Sequence, residues 1–288
     1  MRAGHHGRRA RARMSAGIGL LLLTSAVAGC AEQQPVTLDD GLPTATPTPM
    51  GGGLPEDPVV LLEASEKSPE IRQVGSADVK IAVINLSNGA VGVADGRGDG
   101  TALDFPTYKG DDPVYPRAVV SVSNAGRDDQ LNPGTRDFVW GGDFNIDKLS
   151  LGPGVDNGDN LVQRGISSQP TLFKAEIDKD RAACTVRGDE GELIVRARER
   201  VTPGRWYRVR CERTLSELGV YVTEYDPDGF VKTYARRVSG PIGDVTMSDP
   251  TTPLTVGGKV GSDIELLNQA TDQFNGLVMN PYYALGTG

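Results

Sequence analysis

The sequence predicts an all-β sandwich from about residue 73 to the end of the chain. Three observations predict it. Short runs rich in β-branched and aromatic residues recur, each bounded by Gly, Pro, Asn or Asp, which is the signature of many short strands joined by turns. No amphipathic pattern longer than two helical turns is convincing. The length of this region suits a single sandwich, a class that runs to roughly 200–250 residues as one domain.

The strands are expected at Val79–Ile84, Arg117–Val122, Glu192–Ala197, Trp206–Glu212, Gly219–Tyr225, Phe230–Ala235, Leu254–Gly257 and Phe274–Val278. In Trp206–Glu212 the alternation is clean. Tyr207, Val209 and Cys211 share one face, and Trp206, Arg208, Arg210 and Glu212 the other. Tyr225-Asp-Pro-Asp-Gly-Phe230 is expected to turn, since Pro227 presets φ and Gly229 accepts positive φ. One short helix is expected near Leu266–Ala270.

The N-terminus is of a different kind. Arg2, Arg8, Arg9, Arg11 and Arg13 precede an apolar run from Ala16 to Ala28, centred on Ile18–Leu23. That run is shorter than the roughly 20 residues needed to cross a bilayer, and a basic stretch followed by a short apolar one is the pattern of an export signal. It ends in Val27-Ala28-Gly29-Cys30, which resembles the bacterial lipobox. The resemblance implies that residues 1–29 are a signal peptide removed before Cys30, and that Cys30 carries lipid. The chain is then expected to be exported and anchored to the outer face of a bacterial cell membrane. Arg8-Arg9 also permits a twin-arginine signal, but the residues after it fit that pattern poorly.

Residues 30–72 read as the lipidated cysteine and a tether, rich in Pro, Thr and Gly at Leu42–Met50 and Gly51–Pro55. The leader holds five of the 30 basic residues and no acid, so its removal takes the net charge from −8 to −13. Such a balance argues against a nucleic-acid partner, which requires a basic footprint.

With Cys30 acylated, Cys184 and Cys211 remain. An oxidising, exported setting favours a disulfide between them, the alternative being two buried thiols. Both histidines, His5 and His6, lie in the leader, so the processed chain has no His for a Ser-His-Asp triad or a His-based zinc site.

Several segments taken in order carry a family resemblance. They are Asn132–Phe144 (NPGTRDFVWGGDF), Asp156–Gly165 (DNGDNLVQRG), Cys184–Gly188 (CTVRG), Gly204–Cys211 (GRWYRVRC), Pro253–Gly258 (PLTVGG) and Asp272–Val278 (DQFNGLV). This series resembles a laminin-G-like, concanavalin A-like lectin/glucanase domain, over about Thr101 to Ala284. The resemblance implies a jelly-roll sandwich of two antiparallel sheets. It also implies a module that binds glycans or proteins, often with calcium, although some relatives of that family are glycosidases. The longer hairpin tip at Asp226–Gly229 departs from the family's short turn and leaves the register of its flanking strands open.

Two clusters are candidate sites. Asp156, Asp159 and Asn160, with Gly158, offer hard oxygen donors for calcium, and the same residues also make an ordinary Asx-rich turn. Glu176, Asp178 and Asp180 fall at every second position and would line one face of a strand. The related glucanases carry a similar Glu-x-Asp-x-Glu row, and a retaining mechanism needs carboxyl groups about 5–5.5 Å apart. Asp180 is one methylene shorter than the family's residue, and Asp178–Arg181 also reads as a solvated turn.

The stretch from Arg187 to Arg213 is rich in arginine, and aligned strands would make a basic face for an anionic glycan or a protein. Pairing with Glu190, Glu192, Glu199 and Glu212 would instead leave a solvated outer face. Trp140 and Trp206 are expected as core anchors. The expected function is a surface-anchored, non-catalytic binding module for a glycan or an envelope protein. The alternatives are a carboxylate-dependent glycoside hydrolase and a structural envelope protein.

Overall fold

The computed structural model describes residues 53–65, 70–109, 114–151, 158–226, 231–261, 263–266 and 271–287. The leader, Cys30, Asp156 and the hairpin tip at 227–230 lie outside the described residues. Among the described residues no helix is long and apolar enough to cross a membrane.

Two antiparallel sheets make the fold, an all-β jelly-roll sandwich. The first runs β14 (Val231–Ser239), β13 (Glu217–Tyr225), β12 (Trp206–Thr214), β7 (Phe138–Ile146), β16 (Gly276–Leu285), β1 (Val60–Ala64) and β2 (Ile71–Gln73). On the first part of β16 lies β5 (Thr101–Phe105), with β4 (Gly92–Asp95) beside it. The second sheet runs β11 (Glu192–Arg196), β10 (Arg181–Arg187), β9 (Leu172–Asp178), β8 (Gly158–Arg164), β15 (Leu254–Val256), β6 (Arg117–Asn124) and β3 (Val79–Leu86). The hairpin register left open by the sequence is regular, from Glu217 opposite Ser239 to Tyr225 opposite Val231.

Alternation along each strand builds the core. Tyr207, Val209 and Cys211 of β12 point inward, as do Phe173, Ala175 and Ile177 of β9 and Cys184 and Val186 of β10. Trp140 is fully buried, stacked on Phe138 and tilted against Phe173. Trp206, at the start of β12, is half-buried. Cys184 and Cys211 form the expected disulfide, and it ties β10 of one sheet to β12 of the other.

The Gly-Gly pair after Trp140 has a steric cause. Strand β16 bulges between Met279 and Tyr282, where Asn280 has φ of 49° and Pro281 leans on β7. A Cβ on Gly142 would stand 3.1 Å from the Pro281 Cα, and one on Gly141 2.0 Å from the Val209 carbonyl oxygen. Only glycine lets the three backbones approach this closely.

One boundary differs from expectation. Strand β1 and the first two residues of β2 fall inside residues 30–72, the stretch read as tether. Val60 and Leu62 are buried in the core, and β1 pairs with β16 through Val60–Tyr283 and Leu61–Tyr282. The segment Val60-Leu-Leu-Glu-Ala64 is short and borders the Pro/Gly-rich run, so its pattern merged with the tether. The short helix expected near Leu266 is also not seen where it can be judged. Leu266 makes a β-bridge with Val260, and residues 267–270 lie outside the described residues.

Candidate functional site

Because Phe173, Ala175 and Ile177 point into the core, their neighbours Leu172, Lys174 and Glu176 point out of the second sheet. Thr185 and Arg187 of β10 and Glu192, Ile194 and Arg196 of β11 join them on that outer face, as does Gln163 of β8. Lys259 and Asp272 rise beside β8 and close the other side of the resulting polar cleft.

The charges in the cleft are matched. The Lys174 ammonium donates to Glu176 at 2.6 Å, and the Lys259 ammonium is paired with Asp272. At the opposite wall Arg187 holds Glu192 at 2.8 Å and Arg196 holds Asp178 at 2.5 Å. Burial pushes the Glu176 carboxyl above its ordinary range, the Lys174 ammonium pulls it back, and Asp178 and Asp272 push it up further.

Gly158 lies between two of the acids of the cleft. A Cβ there would meet Glu176 Oε2 at 3.4 Å and Asp272 Cγ at 3.9 Å, so the two carboxylates flank a residue that has no side chain. Asn160 is the register partner of Glu176 and shares its face. The Asn160 backbone N–H donates to the Asp272 carbonyl at 3.0 Å, and its Nδ2 donates to Gln163 Oε1 at 2.6 Å. Asn160 is 1 % exposed, and its Oδ1 has no hydrogen-bond partner among the described residues.

The expected carboxylate row is shortened. Glu176 and Asp178 share the outer face of β9, but Asp180 does not join them. It sits with Lys179 in the two-residue turn to β10, where Lys179 has φ of 62°, and it pairs with Arg200 at 2.7 Å and Arg181 at 3.6 Å. A turn of positive φ swings the chain off the strand, so the period of two ends at Asp178. Each of the three acids is thus held by a cation.

The expected calcium cluster is also rearranged. Asp159 and Asn160 lie on strand β8 and not in a loop. Asp159 is fully buried, and its oxygens accept from Ser150 Oγ at 2.7 Å, Ser150 N at 3.3 Å and Asn275 Nδ2 at 2.9 Å. Burial, with a smaller contribution from Asp272, raises its carboxyl to about 7 against the lowering effect of these hydrogen bonds. Successive strand residues face opposite ways, so Asp159 and Asn160 do not converge on one point. Asp156 lies outside the described residues. Among the described residues no group of three or more His, Cys, Asp or Glu is placed to hold a metal ion.

The arginines do not form one basic face, because the stretch spans both sheets. Arg187 and Arg196 belong to the second sheet, and Arg208, Arg210 and Arg213 lie on β12 of the first. Arg208 pairs with buried Asp143 at 2.5 Å, Arg210 with Glu212 at 3.4 Å and Arg205 with Glu224 at 2.9 Å. Of the four glutamates expected to neutralise them, Glu192 and Glu212 do so.

Lys174, Lys259 and Asp272 were not among the candidate site residues read from sequence. The i, i+2 spacing of Lys174 and Glu176 on a strand carries a signal for the first. Nothing local signals that Asp272 arrives beside Glu176, since that contact depends on the segment entering β16.

No family model matches the chain, and no curated protein matches it. Solved structures do. The binding domain of Paraclostridial Mosquitocidal Protein 1 is similar with a TM-score of 0.53 and 12% identity, over 80% of this chain and 50% of that one. The LG1-3 region of the laminin alpha2 chain gives 0.43 and 17% identity, over 58% of this chain and 31% of that one. Domain 4 of AbnA, a GH43 extracellular arabinanase from Geobacillus stearothermophilus, solved with arabinotriose, gives 0.47 and 12% identity, over 80% of this chain and 93% of that one. The chain thus spans about half the length of the first and about a third of the second. At 12% identity the likeness to the Paraclostridial domain is one of fold.

Proposed function

We propose that this chain is an exported bacterial lipoprotein, anchored at the outer face of the cell membrane by lipid on Cys30, whose sandwich is a non-catalytic binding module. Its ligand is a glycan or an envelope protein, and the cleft lined by Lys174, Glu176, Lys259 and Asp272 is the surface that binds it. The observation that carries this reading is the charge matching in the cleft. Glu176, Asp178 and Asp272 each face a cation, so the cleft offers fixed donors and acceptors and, among the described residues, no free acid and base pair to divide the work of hydrolysis. The Paraclostridial domain of the same fold is a binding domain, which is in keeping with that reading.

The anchor and the module are tested separately. Metabolic labelling with a fatty acid should mark the native chain and not Cys30→Ala, and the Cys30→Ala protein should leave the membrane fraction. A glycan array probed with the full chain in detergent, with and without a calcium chelator, should show saturable binding. The Glu176→Gln variant should bind more weakly, and neither protein should release reducing ends from the bound sugars. Release of reducing ends that Glu176→Gln abolishes would replace the binding module with a hydrolase.

A further inference from the structure

We infer that the part of this cleft between Glu176 and Asp272 is a subsite for adjacent hydroxyl groups of a neutral sugar, an inference that rests on the binding-module reading above. Three features lie together on this part of the sheet. The first is the Asn160 side chain, which is almost fully buried and keeps one acceptor, Oδ1, without a partner among the described residues. Buried acceptors are nearly always met, and Asn160 shares its sheet face with Glu176 of the cleft, where a donor on a ligand can meet this one.

The second feature is the pair of ion pairs. Lys174 with Glu176, and Lys259 with Asp272, each place an N–H donor next to a carboxylate acceptor. A hydroxyl is the group that uses both, since it accepts from the ammonium through a lone pair and donates its proton to the carboxylate. The two pairs flank Gly158, so they suit two hydroxyls on neighbouring carbons. A carboxylate or sulfate ligand has no proton to give to Glu176, Asp272 or Asn160, and would be repelled by the two acids. An ammonium ligand would meet Lys174 and Lys259 where it needs acceptors.

The third feature is the glycine. Gly158 leaves space between Glu176 and Asp272, and among the described residues no aromatic side chain lines the cleft. Recognition therefore runs through hydrogen bonds to hydroxyls, not through ring stacking. The subsite is selective by the same logic, because a ligand without a hydroxyl to donate to Asn160 leaves its buried Oδ1 unpaired.

Gly158→Ala is the test. Gly158 is not one of the positive-φ glycines, and its added methyl meets its neighbours only at ordinary contact distance, so the fold accepts it while the space between Glu176 and Asp272 is filled. The full chain, its Gly158→Ala variant and its Asn160→Ala variant would be titrated calorimetrically with neutral oligosaccharides and with oligosaccharides containing uronic acid. The expected result is binding of a neutral sugar by the native chain, weakened at least tenfold in both variants, with the melting temperature of Gly158→Ala unchanged. Neutral-sugar binding that Gly158→Ala leaves intact would overturn the subsite and leave the binding module standing. Binding of uronic-acid sugars alone would overturn the ligand class and leave the cleft as the site. A folded native chain that binds neither kind would overturn the glycan reading together with the subsite.

Discussion

Cys184 of β10 and Cys211 of β12 stand 5.7 Å apart at Cα and join the two sheets through the core. Each is fully buried, and Cys211 is the register partner of Trp140, so the bridge is packed beside the largest side chain of the interior. The bridge closes a loop of 27 residues in sequence separation, for which chain entropy gives a stabilisation of about 3–4 kcal/mol. The Cys184→Ala, Cys211→Ala double variant is expected to lose that amount. Chemical denaturation under oxidising conditions should show a lower midpoint, and adding reductant to the native chain should reproduce it.

Arg213 closes the end of the sandwich by a different device. Its guanidinium is buried and donates to three carbonyl oxygens, those of Thr135 at 2.6 Å, Arg136 at 2.7 Å and Gly243 at 2.7 Å. It therefore pins the loop before β7 to the loop after β14. A lysine has one nitrogen where arginine has a planar fork, so it reaches fewer of these oxygens. Arg213→Lys is expected to cost about 2–3 kcal/mol, the usual effect of leaving buried carbonyls unmet. Hydrogen exchange should rise in both loops and stay unchanged in β8 and β9. An even rise across the domain would show that Arg213 does not act locally.

The eight strands expected from sequence all exist because each announces itself locally, as at Trp206–Thr214, where alternation and residue type agree. Strand β8 was hidden by its composition. Gly158-Asp-Asn160 reads as a turn, yet Asp159 is accommodated inside the fold by Ser150 and Asn275, which is a tertiary effect. Glu176 was legible as a candidate residue, but its setting was not. The sequence pointed to Asp178 and Asp180 as companions, and the fold supplies Lys174 and, from almost 100 positions further on, Asp272. Strand spacing can be read along the chain, whereas neighbours across a sheet depend on strand order.

Asp159 makes stability depend on pH with an unusual sign. Its folded pKa is about 7 against an ordinary 3.8, so between those values the folded chain binds a proton that the unfolded chain has released. Stability from this group is therefore complete below the lower value and declines as pH rises toward 7, by about 1.4 kcal/mol per unit in the steep part. Burial also raises Glu176, which adds in the same direction. The domain should unfold at higher denaturant at pH 5 than at pH 7.5, and Asp159→Asn should flatten most of that slope. A slope unchanged in Asp159→Asn would place its origin elsewhere.

Strand β1 decides where the domain begins. Val60 and Leu62 point into the core with 1% and 0% exposure, and fully burying side chains of this size is worth about 1.5–3 kcal/mol each. The strand is also held by polar contacts. Val59 N–H donates to the Tyr283 carbonyl at 2.9 Å, and Gln73 reaches back to it, accepting from Leu61 N–H at 3.0 Å and donating to the Val59 carbonyl at 2.8 Å. Removing residues before 73 would bare the edge of β16 at Tyr282 and Tyr283, both buried in the whole chain, and leave its backbone groups unpaired. A chain begun at residue 73 is therefore expected to lose roughly 3–6 kcal/mol, the combined burial of the two side chains, and to aggregate through the bared strand. A chain begun at residue 49 should melt with the full-length protein. Thermal unfolding and size-exclusion chromatography of the two shortened chains measure the difference. Equal melting of both would mean that β1 packs without contributing to stability.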